Sequence, residues 1–173
     1  MTIGGLGSDE TLPPAVLALE NAIVEFTGCI RDALPDICSV GFTLGESYVP
    51  FDPDPGDSCS ATEAQCSQAW IRITDVQPAP GGLEGFSGQN CALSLIAGLE
   101  VGVLRCMEVP KKGRAPTETD VLVYGMQSLA DMNAILCAAL SCEVWEGINV
   151  GQWQPQGPLG GQYGGVWAFT VEL

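Results

Sequence analysis

The sequence predicts an α+β protein: two helices packed on a mostly antiparallel sheet, in the order α-β-β-β-α-β-β, as a single domain over residues 1–173. Three observations lead there. Two segments repeat apolar residues at spacings of three and four, as a helix with one buried stripe does. Five shorter segments alternate or cluster β-branched and aromatic residues, as strands do. Stretches rich in Gly, Pro, Asp and Ser separate most of them. At 173 residues and 46% hydrophobic, with mean hydropathy +0.23, the chain has material for one real core and is no disordered acidic tail.

The first helix is expected in "TLPPAVLALENAIVEFTGCIRDALPD". Leu12, Val16, Leu19, Ile23, Phe26, Ile30 and Leu34 share its stripe. Thr11 can cap it, Pro13 and Pro14 suit its first turn, and Pro35 stops it. "ICSVGFTL" reads as a short strand. The stretch "GESYVPFDPDPGDSCSATEAQCSQ" follows, where Pro50, Pro53 and Pro55 exclude a helix and disfavour a central strand. "AWIRITDV" alternates, with Ala69, Ile71 and Ile73 on one face and Trp70, Arg72 and Thr74 on the other. In "CALSLIAGLEVGVLRCMEV" period two holds from Cys91 through Leu93, Leu95, Ala97, Leu99, Val101 and Val103, while Gly98 and Gly102 argue against a helix. One long strand with a glycine bulge near its middle is expected there.

The second helix begins after "PKKGRAPTETD". Thr117 and Asp120 form a capping box in which Asp replaces the usual Glu. Leu122, Met126, Leu129, Asn133, Leu136 and Leu140 make its stripe, with Asn133 the one polar member. A strand near Ile148–Trp153, a flexible loop and the closing strand complete the chain. Trp167, Phe169, Val171 and Leu173 share one face of that last strand, and Ala168, Thr170 and Glu172 the other. The glycines ahead of it read as slack at a contact, with the strand's loop and edge meeting a neighbour.

Charge is the extreme feature: 21 acidic residues against six basic, a formal net of -15. The acids run along the whole chain, so its surface repels nucleic acid. Histidine is absent, which removes the commonest general base and metal ligand, and with them Ser-His-Asp and Cys-His mechanisms within one chain. The apolar runs are broken by Gly, Ser or charge short of a membrane span, and "MTIGGLGSDE" lacks the basic and apolar regions of a secretory signal.

None of the eight cysteines stands in a C-x-x-C pair, which disfavours a zinc ribbon or a thioredoxin-like site. Cys59 and Cys66 bracket a polar loop and are the best placed for a local bridge. With no export signal, reduced thiols throughout are the broader expectation, and Cys29 and Cys137 then act as small apolar residues inside helices.

In "DPDPGDSCSATE", Asp52, Asp54 and Glu63 fall at positions 1, 3 and 12 of a calcium loop. Gly56 stands at position 5 and Asp57 at position 6, where the sharp turn needs glycine, so a solvated acidic turn is the simpler reading. Lys111, Lys112 and Arg114 hold half the positive charge, too little for nucleic acid and better suited to an acidic neighbouring subunit. "GGLEGFSG" and "GPLGGQYGG" match no phosphate-binding pattern. No cofactor or metal is implied, and an enzyme is not expected.

Four segments together resemble one known family. "CSATEAQCSQAWIRITDVQPA" is similar to the cysteine-flanked segment and aromatic-x-Arg strand of a tail protein of long-tailed actinobacteriophages. "CALSLIAGLEVGVLRC" is similar to its long strand with an Arg-Cys ending. "ETDVLVYGMQSLADMNAILCAALSC" is similar to its second helix, with Asp-Met. "GPLGGQYGGVWAFTVEL" is similar to its glycine loop and aromatic closing strand. The nearest family is the tail terminator, with a neck or head-to-tail connector, or a tube subunit, as the alternative.

That resemblance implies a ring-forming structural virion protein: a hexamer that caps the head-proximal end of the tail tube, ends its polymerisation and joins tail to neck. Its partners would be further copies of itself, the tail tube protein and the connector. DNA would pass through the ring without specific binding, and no membrane would be involved. The implied location is the virion tail or neck, with assembly in the host cytoplasm. Ring contacts of this kind are heterologous; the loops after Tyr48, Gln77 and Pro110 are the expected contact segments, with Asp52, Asp54, Lys111, Lys112, Arg114, Trp167 and Phe169 as the residues expected there.

Overall fold

The computed structural model describes residues 14–44, 67–79, 95–107, 117–145, 147–159 and 162–173. The elements are α1 (Pro14–Ala33), β1 (Ser39–Leu44), β2 (Gln68–Pro78), β3 (Leu95–Cys106), α2 (Glu118–Ser141), β4 (Ile148–Leu159) and β5 (Gln162–Glu172). Two helices and a five-stranded, mostly antiparallel sheet thus follow in the order α-β-β-β-α-β-β, the expected α+β class.

In space the strands run β1-β2-β3-β5-β4. β1 and β2 are parallel, and the other neighbours are antiparallel. A parallel neighbour needs a crossover of about a dozen residues or more, and the interval between Leu44 and Gln68 has that length. The two-residue alternation of strands then settles the faces. Ala69, Ile71 and Ile73 of β2, Ala97, Leu99, Val101 and Val103 of β3, and Trp167, Phe169 and Val171 of β5 form one buried cluster. Phe26 and Ile30 of α1, Leu34 just after it, and Ile135, Ala138 and Ala139 of α2 close it. Both helices therefore cover the same face of the sheet, α1 over β1 and α2 over β5 and β4.

Several expectations are corrected. The closing strand β5 is no edge: it pairs with β3 on one side and β4 on the other. The edges are β1 and β4. An edge position explains how β4 runs to Leu159 through Pro155 and Pro158, since a missing N–H is harmless on its open side. The bulge lies on β2, not β3: Ile73 faces Leu99 and Asp75 faces Gly98, which leaves Thr74 unpaired. Gly98 stands opposite it, where a Cβ would crowd the exposed Thr74 and Asp75 side chains. Gly164 and Gly165 are not slack either: they pair with Leu104 and Val103, and a Cβ on Gly165 would overlap the Trp153 ring. Gly160 and Gly161 lie outside the described residues.

The cysteines depart furthest from expectation. Cys29 in α1 is bridged to Cys142 at the end of α2, across 113 residues of sequence. Cys38 and Cys106 are disulfide-bonded as well. Reduced thiols throughout is therefore incorrect; among the described residues only Cys137 is a free thiol, and it is exposed. Cys59 and Cys66, expected as a local pair, lie outside the described residues.

Candidate functional site

Helix α2 sits on the sheet in an unexpected orientation. Its Thr117 cap forms as read from the sequence: the Asp120 amide donates to Thr117 Oγ1 at 3.2 Å and the Thr117 amide donates to Asp120 Oδ2 at 2.8 Å. The Thr117 hydroxyl also donates to Asp120 Oδ2 at 2.7 Å; this bond first, and that from the Thr117 amide second, favour the charged form and hold the Asp120 carboxyl below its ordinary range. Beyond the cap, the apolar stripe points away from the sheet. Leu122 is 65% exposed, Met126 60%, Leu129 51% and Leu140 57%. Asn133 is exposed and Leu136 half-buried.

The inward face is small and polar instead, and it is clasped to the strands. Arg105, last but one in β3, makes a two-pronged ion pair with Asp131, Nε to Oδ2 at 2.7 Å and Nη2 to Oδ1 at 2.8 Å. Both side chains are nearly shut off from water, 12% and 3% exposed. Gln127 Nε2 donates to Asp131 Oδ1 at 3.2 Å. Ser128 Oγ donates to the Gly164 carbonyl at 3.1 Å, and Trp167 Nε1 donates to the Met132 carbonyl at 2.8 Å. Burial disfavours the charge on Arg105, but the hydrogen bonds and charge of Asp131 outweigh it and raise its pKa. Burial also raises the Tyr163 phenol, against the pull of Arg105.

A groove of about 210 Å³ lies beside this clasp, between the first half of α2 and the far end of the β4–β5 hairpin. Tyr124 and Tyr163, with ring centroids 5.0 Å apart, line it with Met107, Val121 and Pro155. Its lining is mostly apolar, which suits one inserted side chain better than a polar substrate. Among the described residues, no three acidic or cysteine side chains gather as a metal site would need.

The residues named from sequence fare unevenly. Trp167 and Phe169, expected at a subunit contact, are core residues: both are buried, with their rings 6.0 Å apart beneath α2. Asp52, Asp54, Lys111, Lys112 and Arg114 lie outside the described residues. Arg105 and Asp131 escaped notice because a lone charge inside an apolar run does not reveal its partner. The apolar runs also extend further than the sequence suggests. Gly125, Ser128 and Asp131 do not interrupt α2, and the intact helix is long and apolar enough to cross a membrane by length and composition. Here Asp131 is tied to the sheet through Arg105. No protein-family model matches the chain, and neither does any curated protein.

Proposed function

We propose that this chain is a tail terminator of a long-tailed phage: a structural subunit that closes into a hexameric ring on the head-proximal end of the tail tube, ends tube growth and joins the tail to the neck. The observation that supports this best concerns the four segments that resemble the family. Scattered in sequence, they hold three adjacent strands, β2, β3 and β5, and the helix that covers β5. The Arg-Cys ending and the Asp-Met step meet in one ion pair, Arg105 with Asp131.

Two further features agree with the reading. A net charge of -15 suits a ring around a DNA path, where repulsion keeps passage free. Among the described residues, β1 and β4 are the outer strands, whose edges a neighbouring copy could meet. The Cys29–Cys142 bridge runs against the expectation of reduced thiols in a protein assembled in a cytoplasm. The work of the protein is then mechanical: no step of chemistry is asked of it.

The test is the mass of the purified chain in solution. Sedimentation as six copies is expected, and any twelve-copy species should show sixfold end views in negative stain. A single twelvefold ring would favour a head-to-tail connector, indefinite polymers a tube subunit, and a monomer a small enzyme or binding domain. Deleting residues 111–114 is expected to lower ring yield while the far-UV circular dichroism stays unchanged; rings formed at the normal yield would count against a contact there.

A further inference from the structure

The outward stripe of α2 has an internal order that apolarity alone does not require. Leu122, Met126, Leu129, Asn133, Leu136 and Leu140 are spaced four, three, four, three, four. That is the seam of a coiled coil, with Leu122, Leu129 and Leu136 at d positions and Met126, Asn133 and Leu140 at a positions. Tyr124, Asp131 and Ala138 then fall at f, opposite the seam, and these are the positions the structure turns toward the sheet. The seam is therefore held outward by the Asp131 clasp on the reverse side of the same helix.

We propose that this seam docks against the same seam of a second copy of the chain, as a parallel two-helix contact. Three observations choose that occupant. The first is Asn133, an exposed amide inside an apolar seam. A parallel copy in register sets Asn133 against Asn133, where each amide can satisfy the other, and a single a-position Asn is the device that fixes register and favours two strands. An antiparallel copy would set it against Leu129 and strand it. The second is charge. From Val121 to Ser141 the sole charged residue is Asp131, and it is buried. On a chain of net charge -15 this is where two copies can approach without repulsion. The third is size. A 24-residue helix is about 36 Å long. Its exposed seam offers on the order of 500 Å² per copy, which for a pair reaches the roughly 1,000 Å² of a specific interface. Ala130 and Cys137, exposed beside the seam, are small and let the two backbones come close there.

The inference is independent of the ring reading. Such a contact is isologous, one patch meeting itself; it would join two rings through a two-fold axis, or give a plain dimer where no ring forms. Two copies of a chain with net charge -15 repel one another, so added salt should tighten the pairing by screening that repulsion.

The test uses the full chain with Cys137→Ser, which removes the exposed free thiol, and adds Asn133→Cys. Under mild oxidation this variant is expected to form a covalent dimer. Adding Leu129→Glu should weaken the association at least about 100-fold, since both copies lose a buried leucine, and should abolish the cross-link with the circular dichroism unchanged. A folded Asn133→Cys variant that gives no cross-link would overturn the proposal, as would a cross-link indifferent to Leu129→Glu. So would flotation with neutral phosphatidylcholine vesicles that Leu129→Glu abolishes, because it would put a bilayer on the seam in place of a second copy.

Discussion

Arg105 and Asp131 show how much one buried contact can decide. Neither charge could stay beneath α2 alone, since an unpaired buried charge costs several kcal/mol. Together they fix which side of α2 meets the sheet. Asp131→Ala should therefore destabilise the fold by about 3–5 kcal/mol, whereas the paired replacement Arg105→Met with Asp131→Leu should recover most of that loss. Urea unfolding of the three variants checks both statements, and an Asp131→Ala protein as stable as the parent would contradict them. Asp120 gives a test by pH. Its folded pKa lies below the unfolded one, so its contribution is present above the ordinary carboxylate pKa and is lost as pH falls through the folded value. The melting temperatures of the parent and Asp120→Ala should differ at neutral pH and converge in strong acid; a gap that persists there would show that the cap works through something other than the charge. The cap itself was legible, because it is local in sequence. The ion pair was not, because its partners stand 26 residues apart and on different elements.

The helices illustrate when periodicity suffices and when it does not. In α1 the apolar stripe faces inward: Phe26, Ile30 and Leu34 are buried, and Leu19 and Ile23 pack against the core. In α2 the stripe with most leucine faces outward. The reason is what lies beneath: Arg105 pairs with Asp131 and the Gly164 carbonyl accepts from Ser128, so the helix meets the sheet with these residues and with Ile135, Ala138 and Ala139. Pattern alone could locate both faces but could not say which one the sheet would take. The strands were legible in kind: the clustered residues of β2 and β3 share the expected face, but Trp70, expected on the polar face of β2, is buried. Their neighbours were not, because pairing depends on the whole sheet, and so β5 was misplaced at an edge. The bridge between α1 and α2 was invisible for the same reason. Replacing Cys29 and Cys142 with Ser should cost about 2–4 kcal/mol by freeing a long loop in the unfolded chain, read as a lower denaturation midpoint. An unchanged midpoint would mean that core packing alone holds the two helices together.

At the scale of the whole molecule, charge and apolar surface are unevenly spread. The chain is strongly acidic, yet one helix presents an uncharged apolar seam, and among the described residues β1 and β4 are the outer strands of the sheet. Composition gave the acidic surface directly, and the family resemblance supplied the ring as an expectation. Negative-stain imaging of the purified chain is the most direct test of the proposed ring. Closed sixfold rings with a central channel, single or joined in pairs, are expected. Fields of isolated monomers or plain dimers, with no closed ring, would contradict it.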